Sequence, residues 1–270
     1  VETDVWSPGR ALSIAAITPD AQKRADIYIG LLATRKLNEQ QTQDTQKNVA
    51  LTIESIDQKL SQVEHFIALA QQLTGAAKKE TLEQGMQVAR AITENWSRVR
   101  ALTILAEHLD DQMKNEMLLQ ALQASRTIAE AERRAWLLIE LIKQLDGASK
   151  TEALQDGLTA ARSIAEDASR AEAEVALATC LTGIAKDDLL SQALSSTLRS
   201  TNGPMQARAL VALARQATGA LHQHLIEIAE HLDDGWVRAR TFTELAAQTS
   251  GQKKQDLLLK AMDAARAIPD

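Results

Sequence analysis

The stretch Arg98–Ile128 reads RVRALTILAEHLDDQMKNEMLLQALQASRTI and holds one full copy of the pattern that decides the fold. Apolar residues recur at three- and four-residue intervals on both sides of a short break at Leu109-Asp110-Asp111. That spacing is typical of two amphipathic helices joined by a tight turn. The stretch therefore predicts a helical hairpin.

The break between the two helices returns at a fixed interval of 36 residues. It reads Leu-Thr-Gly, Leu-Asp-Asp, Leu-Asp-Gly, Leu-Thr-Gly and Ala-Thr-Gly in the copies that end at residues 75, 111, 147, 183 and 219. The copy that ends at Gly251 follows after only 32 residues, which indicates one lost helical turn. Glycine at this point favours a left-handed cap between the helices.

We therefore predict an all-α protein, an α-solenoid of about seven two-helix hairpins in a single domain over residues 1–270. A lone helix near 8–17 is expected within an irregular N-terminal segment, 1–21. The hairpins are expected at about 22–57, 58–93, 94–129, 130–165, 166–201, 202–233 and 234–269. A single hairpin cannot bury its apolar stripe, so stacking should form one continuous core in a superhelix with a concave face.

Charge and hydropathy exclude some function classes and leave the compartment open. The formal net charge of −6 gives no basic footprint for nucleic acid, and no window approaches 18 consecutive apolar residues. The chain starts at Val1 without an initiator Met, so both a cytoplasmic protein and a processed secreted or periplasmic chain are considered. The oligomeric state is not determined by the sequence.

The hairpins loosely resemble tetratricopeptide repeats, although the period is 36 rather than 34 residues and that family's aromatic positions are missing. The segments RVRALTILAEHL, LLQALQASRTI, LQDGLTAARSI and LLKAMDAARAI are more similar to the degenerate helical repeats that follow the ATPase core in bacterial signal-transduction NTPases. The resemblance covers about residues 58–269 and implies a sensor or partner-binding arm. There is no Walker-type phosphate loop and no dinucleotide fingerprint, so no cofactor is predicted.

One position of the first helix varies from hairpin to hairpin and is our candidate for partner binding. Trp136 stands there among charged residues, and aromatic and Arg side chains dominate binding hot spots. The alternative for Trp136 is packing between hairpins, the role we assign to Trp96 and Trp236. The predicted partner-binding residues are Glu64, Arg100, Trp136, Glu172, Arg208 and Arg240.

Arginine recurs at two further positions of the repeat. The two series are Arg98, Arg134, Arg170 and Arg238, and Arg90, Arg126, Arg162 and Arg266. Rows of guanidinium groups suit carboxylates or phosphates, which would fit a groove for an acidic peptide. A residue repeated in nearly every hairpin is also typical of a structural role, with Glu94, Glu132 and Glu166 as neutralising partners. We favour the structural interpretation.

The short hairpin at 202–233 carries three of the five histidines. His224, Glu227 and His231 share one helix face, and imidazole and carboxylate are ordinary ligands of divalent metals. The alternative is a polar outer face on a degenerate hairpin.

Taken together, these patterns favour a non-catalytic scaffold or adaptor that binds a partner peptide or protein in the concave groove. One alternative is the ligand-sensing arm of a larger signalling NTPase. Another, from a different class, is a helical-toroid hydrolase with an acidic active site. No motif for a nucleophile or a catalytic metal is present, so we predict no enzymatic activity.

Overall fold

A computed structural model describes residues 7–268, and within them the protein is all-α, with 15 helices and no strand. The helices are α1 (Pro8–Ile17), α2 (Ala21–Thr34), α3 (Glu39–Glu54), α4 (Lys59–Ala70), α5 (Gly75–Arg90), α6 (Asn95–Ala106), α7 (Asp111–Ser125), α8 (Ala131–Ile142), α9 (Gly147–Arg162), α10 (Asp167–Ala178), α11 (Gly183–Arg199), α12 (Gly203–Ala214), α13 (Gly219–Glu230), α14 (Gly235–Ala247) and α15 (Gly251–Arg266). None of these helices is both long and apolar enough to cross a membrane.

The predicted α-solenoid of hairpins is confirmed. Helix α1 is the lone leading helix, and each of the seven predicted hairpins contains two helices. Six of these pairs, from α2 with α3 to α14 with α15, pack directly on each other. First helices also pack on the first helix of the next hairpin, as α10 does on α12 and α12 on α14. Residues 1–6 of the predicted N-terminal segment and Pro269 of the last hairpin lie outside the described residues.

The chain divides after Ile128 into two compact units, each with its own buried side chains. The first unit contains α1–α7, and Phe66, Ile53 and Leu69 lie in its core. The second contains α8–α15, where Leu138, Ile142 and Leu177 are fully buried. The single domain over 1–270 stays a prediction.

Glycine makes the turn within five of the hairpins, as predicted. Gly147 has φ = 55°, and Gly75, Gly183, Gly219 and Gly251 have similar values. A side chain is strained at these angles, whereas Gly adopts them freely. The hairpin at 94–129 has no glycine here, and the Asp110 carboxylate instead accepts a hydrogen bond from the Met113 amide at 3.0 Å.

Side chains near the start of several first helices tie the preceding linker to the next hairpin. The Arg170 guanidinium donates to the Ile164 carbonyl at 2.6 Å, and Arg238 donates to Leu232 at 2.6 Å. In the equivalent place, the Gln62 amide donates to the Ile56 carbonyl at 2.7 Å. These bonds satisfy carbonyls that helix ends leave free. They confirm a structural role for Arg170 and Arg238.

Two of the acids predicted to neutralise the arginines cap helices. Glu166 accepts from the Ser169 amide and Glu94 accepts from the Trp96 amide, so each caps the helix that follows it. The ion-pair partner of Arg170 is Asp167. The Glu166 carboxylate lies at the N-cap position of α10 and is held there by a backbone amide.

The hairpin at 202–233 shows the predicted loss of a turn. Helix α13 has 12 residues, whereas α9 and α15 have 16. This short helix packs on α14, the first helix of the following hairpin. Its His222 is buried, and the ring Nε2 lies 3.0 Å from the Leu245 carbonyl oxygen of α14. One of the three histidines is therefore a core residue with a structural hydrogen bond.

Candidate functional site

The second unit contains a groove of about 930 Å³ lined mainly by the first helices of four successive hairpins, with Lys186 added from α11. Trp136 comes from α8, Glu172 from α10, Arg208 from α12 and Arg240 from α14. These four are predicted partner-binding residues, and they lie in one groove because they hold the same position of successive repeats. The floor is apolar and consists of Val175, Ala176, Val211 and Ala212.

Two tryptophans line this groove with part of their rings open to solvent. Trp136 is 38% exposed and Trp236 is 58% exposed. The sequence assigned Trp236 to packing between hairpins, and its exposure corrects that assignment. Its position at the second residue of α14, before the buried stripe of that helix begins, explains why the ring is not covered.

Four cationic side chains line the groove, against two carboxylates that pair with them. Arg208 Nε lies 3.2 Å from Glu172 Oε1. Arg215 and Arg240 lie 3.0 and 3.2 Å from Glu244 Oε1, and Lys186 is the fourth cation. The charged residues that line the groove are thus four cations and one carboxylate, Glu172, in a chain whose net charge is −6, and Glu244 pairs with two of the cations from beside the lining.

Glu172 is the most enclosed charged group of the groove. Its side chain is 15% exposed, its Oε1 lies 3.2 Å from Arg208 Nε, and its Oε2 accepts a hydrogen bond from Arg208 Nη2 at 3.3 Å. Burial raises the pKa of Glu172, an effect that nearby Arg208 opposes. Arg208 is therefore the cation that compensates the charge of the enclosed Glu172 carboxylate.

The other two predicted partner-binding residues belong to the first unit. Glu64 on α4 and Arg100 on α6 are both exposed. The Arg100 guanidinium stacks over the ring of Trp96, with its carbon 5.7 Å from the ring centroid. That contact covers part of the Trp96 ring. At the repeat position of Arg100, the surface of the first unit therefore differs from the groove of the second unit.

The predicted metal ligands are not brought together. His224, Glu227 and His231 are all exposed on or at the end of α13, and the His231 ring Nδ1 lies 2.8 Å from the backbone carbonyl of Glu227. No group of three or more His, Cys, Asp or Glu side chains in residues 7–268 is placed to hold a metal ion. The shared helix face was real, but His231 turns back to cap α13.

A buried acid on α10 was not among the predicted site residues. Glu174 is 4% exposed, and Ser196 Oγ donates to its Oε2 at 3.4 Å. Burial raises its pKa, while the guanidinium groups of Arg170, Arg162 and Arg199 act in the opposite direction. The sequence could have identified Glu174, because it is an acid at a repeat position where other hairpins have Leu102, Leu138 and Leu210.

We expect Glu174→Gln to change how stability depends on pH. The folded pKa of Glu174 lies above its ordinary value of 4.5, so the folded state binds more protons than the unfolded state between the two values. The contribution of Glu174 is therefore complete below pH 4.5 and is lost as the pH rises through the folded pKa. Urea unfolding from about pH 4 to neutrality should show wild type losing stability relative to Glu174→Gln. A pH-independent difference, as expected for the exposed control Glu140→Gln, would contradict this.

Comparison with known proteins found no family model that matches the chain and no curated protein that is significantly similar to it.

Proposed function

We propose that this protein is a non-catalytic scaffold that binds a peptide segment of a partner protein in the groove of α8, α10, α12 and α14. The observation that carries the proposal is the alignment of two exposed tryptophans and an apolar floor along four successive first helices. Exposed aromatic rings beside an apolar surface supply large contact area at small conformational cost, which is why Trp is enriched in binding hot spots.

Charge indicates which peptides fit the groove. Apolar side chains of the peptide would lie on Val175, Val211 and the tryptophan rings. Its acidic side chains would meet Lys186, Arg208, Arg215 and Arg240, where guanidinium groups can hold carboxylates through paired hydrogen bonds. A peptide with both acidic and apolar residues therefore satisfies the floor and the rim together, whereas a basic peptide meets like charges.

The test is selection from a library of random displayed peptides on the immobilised wild-type chain. We expect enriched peptides to combine acidic residues with aromatic or aliphatic ones, and their binding to weaken with added salt because the rim contacts are exposed. Each enriched peptide is then measured by fluorescence anisotropy against wild type and Arg208→Gln.

Arg133→Gln is the matched control, since Arg133 is an exposed arginine on α8 that does not line the groove. Binding that weakens with Arg208→Gln and not with Arg133→Gln supports the proposal. Enrichment of basic peptides, or equal effects of the two substitutions, would count against it.

A further inference from the structure

A second pocket, in the first unit, is lined by one member of each arginine series. It has a volume of about 360 Å³ and lies among α5, α6 and α7. Arg90 and Arg98 contribute their guanidinium groups, and Gln120, Gln123 and Thr127 add polar side chains. Two arginines and three hydrogen-bonding side chains around one small cavity form a suitable environment for an anion.

The repeat provides an internal comparison for this pocket two hairpins further along the chain. Arg90 and Arg98 correspond to Arg162 and Arg170, and Leu102 corresponds to Glu174. In the second unit the Glu174 carboxylate is buried, and the positive charges of Arg170, Arg162 and Arg199 act on it. The protein itself therefore places a carboxylate among the equivalent arginines.

The first unit lacks both acids of that cluster. Leu102 replaces Glu174, and Asn95 replaces Asp167, which pairs with Arg170. As a result, Arg98 donates to the neutral Asn95 Oδ1 at 2.6 Å. Arg90 pairs at 2.8 Å with Glu116, whose side chain is 55% exposed and also accepts a hydrogen bond from Gln120 at 3.0 Å. The first unit therefore keeps the two arginines but has no carboxylate at the positions equivalent to Glu174 and Asp167.

We propose that this pocket binds the carboxylate of an external ligand, a small organic acid, which takes the place that Glu174 holds in the equivalent cluster. Arg98 from α6 and Gln123 from α7 hold the carboxylate, and Arg90 and Gln120, which also contact the exposed Glu116, add a second guanidinium and amide at the edge of the pocket. This site belongs to the first unit, whereas the peptide groove belongs to the second. The test of one proposal is therefore independent of the test of the other.

The test is calorimetric titration and thermal melting of the full chain with succinate. Succinamide serves as the neutral analogue and inorganic phosphate as a different anion, all at matched ionic strength. We expect saturating succinate to raise the melting temperature by about 2–4 °C and succinamide to leave it unchanged. A tetrapeptide with a free C-terminal carboxylate is titrated beside its amidated form, since peptides are a second source of the same group.

Two variants assign the effect to this pocket. Arg98→Gln removes a guanidinium, and Asn95→Asp restores the acid present at position 167, so each should weaken succinate binding by about tenfold or more. Arg133→Gln, at an exposed arginine that lines neither pocket, should bind succinate like wild type. Asn95→Asp changes an accessible helix-end residue, so it tests the site even if Arg98→Gln impairs folding.

Succinate or the free-acid tetrapeptide binding in the predicted variant pattern supports the site, and the tighter of the two identifies the source of the carboxylate. Failure of both to bind overturns the proposal. An equal response to phosphate, or binding that Arg98→Gln and Asn95→Asp leave intact, also overturns it.

Discussion

Replacing both Trp136 and Trp236 by Ala is expected to weaken binding of selected peptides by about a hundredfold or more. Buried aromatic anchors contribute about 2 kcal/mol or more each, which corresponds to about thirtyfold in affinity for a single substitution. Trp236 is 58% exposed and Trp136 is 38% exposed, and neither belongs to the fully buried core. The measurement is fluorescence anisotropy of a labelled peptide against wild type and the double variant.

Trp96→Ala is the control for this prediction, because Trp96 lies in the first unit and contacts Arg100 rather than the groove. Circular dichroism should show the same helical content in all three chains. A double variant that binds peptide like wild type would exclude the tryptophans as anchors.

Replacing Phe66 by Ala is expected to lower the free energy of unfolding by about 3–5 kcal/mol. Phe66 is 1% exposed and belongs to the core that α1, α2, α3 and α4 form in the first unit. The backbone of α5 also approaches it closely, since a Cβ built on Gly85 would lie 3.3 Å from Phe66 Cβ. Truncation of the ring leaves a cavity that these helices cannot close without moving.

Chemical denaturation measures this effect, with Leu51→Ala as the control. Leu51 on α3 is 57% exposed, so its truncation should change stability by no more than about 0.5 kcal/mol. Similar losses for Phe66→Ala and Leu51→Ala would mean that the first unit is not packed as described.

The hairpins were predictable because the period and the apolar spacing are local properties. The turn at Gly147 and the missing turn of α13 follow directly from the repeat, and both are confirmed. Four of the six candidate partner-binding residues lie in one groove for the same reason, since equal repeat positions lie on equal faces of stacked helices.

The repeat did not predict the surroundings of side chains at irregular positions. Trp236 and Trp96 hold the same repeat position, yet only Trp236 lines the groove. His231 shares a helix face with His224, but its ring contacts the backbone carbonyl of Glu227 at the end of α13. The spacing of residues in the sequence does not determine which way that ring turns. Glu174 was visible in the sequence as an acid at an apolar position. Its burial among arginines of α9, α10 and α11 depends on how three helices pack.

The central claim is that partner peptides lie along the first helices of the second unit. Photo-crosslinking tests it most directly, with a benzophenone group placed at an apolar position of a selected peptide and the attachment sites mapped by mass spectrometry. Crosslinks to α8, α10, α12 and α14, at residues such as Val175, Ala212 and Trp236, are the predicted result. Crosslinks confined to α9, α13 and α15, or to the first unit, would contradict it.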